Sequence, residues 1–230
     1  MKVYEIFKSI QGESSYAGLP FVFVRLTGCN LRCTYCDTTY AFEEGFDISE
    51  EKLIAKIDSY FLKFVEITGG EPLLQKEIYP LTEELVNKDY TILVETNGTM
   101  DISQLNEEII RVVDIKCPGS GESDRMRWKN IDSLTEKDEV KFVIMNREDY
   151  EWAKEISEKY KLNKKLTVNF SPAYGFLKPD KLADWILEDN LNVRFNLQLQ
   201  KYIWKGVRGE CKDRREKRCN GVSEKRRSRK

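Results

Sequence analysis

Seven apolar or β-branched runs punctuate the chain, and four polar, helix-patterned stretches lie between them. The runs are FVFVRLTG (21–28), FVEITGG (64–70), TILVETNG (91–98), RVVDIKCPG (111–119), EVKFVI (139–144), LTVNFSP (166–172) and VRFNLQL (193–199). Runs this short and continuous read as buried strands. Among the helix-patterned stretches, ISEEKLIAKIDSYFLK (48–63) places Leu53, Ile54, Ile57, Tyr60 and Phe61 on one face and offers Ser49 as N-cap. QKEIYPLTEELVNKD (75–89), NREDYEWAKEISEKYK (146–161) and KPDKLADWILEDN (178–190) repeat the pattern, with Pro80 limiting the first of these three. Strand and helix alternating at this spacing predict βαβ units and a mainly parallel sheet. About six to seven strands are too few to close an eight-fold barrel. The expected α/β fold is therefore an incomplete, open (β/α) barrel, with a doubly wound sheet as the alternative.

In parallel barrels the chemistry sits at the C-terminal ends of the strands. Here those ends carry Arg25, TGGEP (68–72), ETNG (95–98), KCPG (116–119), SPAYG (171–175) and QLQ (198–200), none of which core packing requires. The 230 residues fit one domain, taken as 1–205, followed by a basic tail over 206–230. Residues 205–230 hold twelve Lys or Arg against four acids, so a formal charge of -1 for the whole chain leaves -9 on the remainder. With almost no apolar periodicity the tail is expected to stay disordered and solvated; an RNA-binding arm is the alternative use of such charge. The start, MKVYEIFKSIQGES, has no apolar stretch behind a basic segment. A cytoplasmic protein with reduced thiols is expected.

Three of the six cysteines, Cys29, Cys33 and Cys36, fall within GCNLRCTYCDTTY (28–40), directly after the first run. Unrelated core cysteines have no reason to crowd in this way. A structural zinc site wants four closed ligands. The chain has no histidine, and a fourth ligand would have to come from Cys117, Cys211, Cys219 or a carboxylate, none at a paired C-x2-C spacing. Three thiolates on a four-iron cubane leave one iron open for a ligand.

The C-x3-C-x2-C spacing resembles the cluster loop of the radical S-adenosylmethionine superfamily, where the open iron of a 4Fe-4S cluster binds the amino and carboxylate groups of S-adenosylmethionine. TGGEP matches that superfamily's Gly-Gly-Glu-Pro element. The match implies that Gly69 and Gly70 let backbone approach the cofactor and that Glu71 accepts from its ammonium; alone, the stretch would read as a turn. Alternation along TILVETNG sets Leu93, Glu95 and Asn97 on one face, from which Glu95 and Asn97 could bond a ribose. A plain Asn-Gly turn is the competing explanation. Lys116, Cys117 and Pro118 resemble a further cofactor-contacting strand end, although Cys117 also reads as a small buried residue.

Three further stretches, IFKSIQGES (6–14), CDTTY (36–40) and NLQLQKYIW (196–204), together resemble the 7-carboxy-7-deazaguanine synthase family over residues 1–205. That resemblance implies conversion of 6-carboxy-5,6,7,8-tetrahydropterin to 7-carboxy-7-deazaguanine, with ring contraction and loss of ammonia, toward queuosine-type tRNA nucleosides. It implies substrate contacts at Ile10, Gln11, Gly12, Glu13 and Thr68, and Mg2+ held by the Thr38 hydroxyl with Asp37 beside it. Arg25, a fixed fork at a strand end, suits a substrate carboxylate or else a structural ion pair. NLQLQ, read as a strand, sets Asn196, Gln198 and Gln200 on one face against the donor and acceptor edge of a pterin. The implied mechanism begins with electron transfer into S-adenosylmethionine; the radical formed takes hydrogen from C6 of the pterin, the ring contracts, hydrogen returns and ammonia leaves. No general acid or base is assigned, since the protein's part is orientation and exclusion of solvent.

The resemblance also implies a reductant such as flavodoxin or ferredoxin and a homodimer, with no membrane and no direct nucleic-acid contact expected. Two departures stand out. Gln200 occupies a place where the family often has histidine, and a basic tail with Cys211 and Cys219 follows the usual end. The alternatives are a radical-activating enzyme that forms a glycyl radical on a partner protein, and a zinc-stabilised RNA-binding module.

Overall fold

The computed structural model describes residues 1–204; the tail expected over 206–230, with Cys211 and Cys219, lies outside the described residues. β1 (Lys2–Ile10) and β2 (Pro20–Leu26) form an antiparallel pair, and the two-residue β3 (Phe46–Asp47) runs along the outer edge of β1. From β2 onward every pairing is parallel, through β4 (Phe64–Gly69), β5 (Thr91–Thr96), β6 (Ile110–Asp114), β7 (Glu139–Ile144), β8 (Thr167–Pro172) and the two-residue β9 (Arg194–Phe195). The nine strands make one sheet in the order β3-β1-β2-β4-β5-β6-β7-β8-β9, with β3 and β9 at separate edges. The barrel is thus open, as expected, and is widened by the antiparallel β1 and β3, which the apolar runs did not mark.

Helices α1 (Glu50–Asp58), α2 (Ile78–Asn87), α4 (Arg147–Lys159) and α5 (Pro179–Glu188) occupy the four patterned stretches, and α3 (Asn130–Ser133) adds one turn before β7. Ser49 caps α1, its Oγ accepting from the Lys52 N–H at 3.4 Å. Leu53, Ile54 and Ile57 are buried, but Phe61 is not on that face. The helix ends at Asp58, Phe61 takes a left-handed φ of +56°, and its ring is 92 % exposed. Pro80 is the third residue of α2, where its missing N–H would have had no partner in the helix.

Strand alternation divides the residues between two environments. Val22, Val24 and Leu26 on β2, Val65 and Ile67 on β4, Ile92 and Val94 on β5, and Val140, Phe142 and Ile144 on β7 share one core with the helices. On the opposite, concave face Phe21, Phe23, Leu93, Ile110 and Val112 form a small apolar floor. Toward the strands' C-terminal ends the same face turns polar with Arg25, Thr68, Glu95, Asp114 and Lys141. No helix among the described residues is long and apolar enough to cross a membrane.

The strand expected over VRFNLQL is cut to Arg194–Phe195, and α6 (Leu199–Ile203) follows. The chain leaves the ladder because the Leu199 N–H donates to the Gly12 carbonyl at 3.0 Å, folding this segment across the gap onto the turn after β1.

Phe142 is fully buried, edge-on to Phe170 and Trp152. Phe142→Ala should lower the free energy of unfolding by about 3–5 kcal/mol, read as a lower denaturant midpoint at unchanged slope.

Candidate active site

Three loops meet beyond the ends of β2, β4 and β5. A Cβ on Gly70 would lie 2.1 Å from the Gly28 carbonyl oxygen and 2.6 Å from Cys29 Cβ. Gly69, at φ +138°, is hemmed in by the Leu26 backbone in the same way. Both glycines border the cavity that the cysteine loop lines, but what forbids a side chain is the neighbouring loop. This close approach lets the Glu71 N–H donate to the Gly28 carbonyl at 2.8 Å.

Glu71 directly follows these glycines. It is fully buried and absent from the cavity lining. Its carboxylate accepts from the Leu73 N–H (3.0 Å), the Asn97 N–H (2.7 Å) and the Thr96 hydroxyl (2.9 Å), so it ties the end of β4 to the end of β5. Burial pushes its carboxyl up to about 6, against the pull of these donors.

Cys29, Cys33 and Cys36 all border one cavity of about 480 Å³, and all are free thiols. The Leu31 N–H reaches Cys29 Sγ at 3.4 Å and the Asn97 amide reaches it at 3.8 Å. Burial pushes the Cys33 thiol up to about 11, opposed by the Lys116 ammonium, and raises Cys36 as well. Iron bonded to sulfur would offset that burial by taking the proton's place. Among the described residues no three His, Cys, Asp or Glu side chains converge as on a single ion. Thiols spread around a cavity fit a cubane, whose irons take one thiolate each, better than tetrahedral zinc.

Glu95 and Asn97 border the same cavity, as the strand alternation predicts. The Asn97 amide donates to Asn30 Oδ1 at 3.0 Å, joining β5 to the cysteine loop. Lys116 also borders the cavity, 2.9 Å from Asp114 and 5.7 Å from the Tyr35 ring centroid. Burial would depress its pKa, but Asp114 holds it above the ordinary lysine value. Cys117 and Pro118 do not reach the cavity; Cys117 is fully buried in the helix-side core.

At the other end, the turn after β1 folds over the concave face. Ile10, Gln11, Gly12 and Glu13 border the cavity, together with Thr68, Gln198 and Gln200. Glu13 Oε1 accepts from the side-chain amides of Gln198 (3.0 Å) and Gln200 (2.9 Å). These glutamines meet through a helix start rather than through one strand face, and Asn196 is not part of the lining. A Cβ on Gly12 would lie 1.7 Å from Gln200 Oε1, so a side chain there would push the Gln200 amide away from its present place. Arg25 lines the cavity with its Nε paired to Glu5 across the β1–β2 ladder at 2.8 Å. Thr38 donates to Asp37 Oδ1 at 2.9 Å, and Asp37 Oδ2 pairs with Lys201 of α6 at 2.5 Å. Burial would raise the Asp37 pKa, but the Lys201 contact holds it below the ordinary carboxylate range.

Four buried ionisable residues of this face were not singled out from the sequence: Glu66, Asp114, Glu139 and Lys141. Each lies within an apolar run, and a charge inside a buried parallel strand is itself a signal. Gln11 donates to Glu66 in a short contact, and Ser15 donates to Glu139 through its N–H at 3.0 Å. Burial and the neighbouring Glu95 raise the Glu66 carboxyl well above its ordinary pKa.

Replacing Glu71 with alanine strands the Leu73 and Asn97 N–H groups. Glu71→Ala should cost about 2–4 kcal/mol of stability, measured by thermal and denaturant unfolding.

The radical SAM superfamily model matches residues 23–119, a span that holds the cysteine loop, TGGEP, ETNG and KCPG. A 7-carboxy-7-deazaguanine synthase of Koribacter versatilis is 45% identical over 219 residues, covering 89% of this chain and 97% of the relative. One from Chlorobaculum tepidum is 40% identical over 207 residues, covering 89% and 94%. Among solved structures, that of QueE from Escherichia coli superposes with a TM-score of 0.71 at 23% identity, over 86% of this chain and 93% of that one, which supports the fold. On these matches, and on the single cavity that gathers their motifs, the chain belongs to the 7-carboxy-7-deazaguanine synthase family of radical SAM enzymes.

Proposed function

We propose that this enzyme converts 6-carboxy-5,6,7,8-tetrahydropterin to 7-carboxy-7-deazaguanine, with ring contraction and loss of ammonia. The observation that carries the reading is the joint lining of one cavity by the three-cysteine loop and by the Gln11–Glu13 turn with Gln198 and Gln200. When bound, a 4Fe-4S cluster and S-adenosylmethionine supply the electron and the hydrogen-abstracting radical. Cys29, Cys33 and Cys36 would hold the cluster. Gly69, Gly70, Glu95, Asn97 and Lys116 lie where they can border S-adenosylmethionine, while Glu71, Cys117 and Pro118 act from behind that wall. Gln11, Glu13, Gln198 and Gln200 present amide and carboxylate groups to the flat pterin edge, and Thr68 bridges the two halves through its 3.2 Å bond to Glu95. Arg25, already paired with Glu5, keeps a positive charge at the cavity for the substrate carboxylate.

Magnesium is part of the same proposal. The Thr38 oxygen is a hard ligand at the cavity edge, and magnesium takes few protein oxygens and keeps the rest of its shell as water or substrate. The reading further includes a flavodoxin- or ferredoxin-type reductant, a homodimer and a cytoplasmic setting, with residues 1–205 as the catalytic domain. These rest on family membership and on the sequence alone.

Anaerobic reconstitution with iron and sulfide, followed by S-adenosylmethionine, magnesium, a reductant and the pterin, tests the reaction by mass spectrometry. The expected product is 7-carboxy-7-deazaguanine, abolished in Cys33→Ala together with the visible absorption of the cluster. Cleavage of S-adenosylmethionine without that product would overturn the substrate assignment. Thr38→Ala should raise the magnesium concentration for half-maximal rate by about tenfold or more; a rate indifferent to magnesium in both proteins would remove the metal from the reading.

A further inference from the structure

One buried cation of the concave face belongs to no motif. Lys141 lies in mid-β7 and is 5 % exposed. Its Nζ is enclosed by carboxylates from three elements: Glu13 Oε2 at 3.0 Å from the turn after β1, Glu95 Oε1 in a shorter contact from β5, and Asp114 Oδ2 at 3.4 Å from β6. Its ammonium donates to Glu13 and Glu95 and pairs with Asp114, so its charge is already taken up by carboxylates of this chain. What it controls is the placement of the carboxylates.

Each of those carboxylates leads elsewhere. Glu13 Oε1 holds the amides of Gln198 and Gln200, and Glu95 Oε2 accepts from Thr68. Asp114 shares Oδ2 with Lys116, which stands beside Tyr35 of the cysteine loop. One ammonium therefore joins the substrate side of the cavity to its cofactor side. Without it, Glu13, Glu95 and Asp114 would face one another and Glu66 across a poorly solvated floor with Lys116 and Arg25 as the nearest remaining cations and Lys201 beyond them, and carboxylates left so crowded turn away from one another. Stability alone gives little reason for such a cluster, since well-packed apolar residues often replace buried ion pairs without loss.

We propose that Lys141 is a positioning residue: it holds Glu13 and Glu95 oriented through its own contacts with them, so that substrate and cofactor meet preset acceptors. The inference rests on the assignment of Glu13 to the pterin side and Glu95 to the cofactor side made above.

The test uses cluster-loaded, full-length Lys141→Met and Lys141→Arg beside the parent enzyme. The probe is 6-carboxypterin, the oxidised relative of the substrate, titrated by quenching of its fluorescence and followed by steady-state kinetics. Lys141→Met should load its cluster, bind the probe about tenfold to a hundredfold more weakly, and raise KM by a similar factor with a much smaller change in kcat. Lys141→Arg should recover part of that affinity. Glu13→Gln combined with Lys141→Met should lose clearly less than the sum of the two single losses, because the two share the Lys141–Glu13 contact. Parent-like affinity and KM in Lys141→Met, a loss confined to kcat, or additive effects in the double variant would overturn the proposal. Should Lys141→Met not fold, Lys141→Gln takes its place; parent-like binding there, or no folded variant at all, assigns Lys141 to the fold alone and equally overturns it. If the parent binds 6-carboxypterin but forms no 7-carboxy-7-deazaguanine, the substrate reading fails instead.

Discussion

Glu13, Glu66, Glu95 and Asp114 share the concave face of the sheet with Lys116 and Lys141, and much of the architecture follows from keeping these charges partnered. A closed parallel barrel fills its centre with branched apolar side chains. Here Phe21, Phe23, Leu93, Ile110 and Val112 do so at one end only. Above them, each ion removed from water costs several kcal/mol unless it is paired and hydrogen-bonded. Lys141 answers three carboxylates at once, and burial beside Glu95 pushes the Glu66 carboxyl well above its ordinary pKa. The turn after β1 completes the arrangement like a plug, with Gln11 on Glu66, Glu13 on Lys141 and Ser15 on Glu139.

This plug also explains how an open barrel keeps its shape. β3 and β9 do not pair, so the gap between the sheet's edges must be spanned by something other than a ladder. The turn and α6 span it, through Leu199 N–H on Gly12 and two glutamine amides on Glu13. Lys201, one helical step on, reaches Asp37 in the cysteine loop. The last described helix thus touches both ends of the cavity, the turn after β1 and the cysteine loop.

On the cluster side the governing contact is between two backbones. Gly69 and Gly70 bring the end of β4 against the cysteine loop, and Glu71 then binds the start of the next loop beneath it. A side chain at Gly70 would displace Cys29 directly. The motif's glycines and glutamate thus build the wall against which a cofactor can rest, with the glutamate hidden inside that wall.

Local spacing along the chain was enough to determine the parallel strands, four helices and the chemistry of the cysteine loop, because period-2 and period-3.6 burial and short-range thiol spacing are written in consecutive residues. The side assignment of Glu95 and Asn97 followed from alternation alone. What alternation could not reach were roles set by partners far away in sequence. The hydrogen bonds that Thr96 and Asn97 give to Glu71 could not be read from its motif, and NLQLQ looked like a strand until Gly12 drew it into a helix start. Lys141 was one charge in an apolar run, and its meaning depends on carboxylates 128, 46 and 27 residues away. Hydrophobic period is local and survives in one dimension; the pairing of buried charges is a matter of distance in three, and tertiary structure alone decides it.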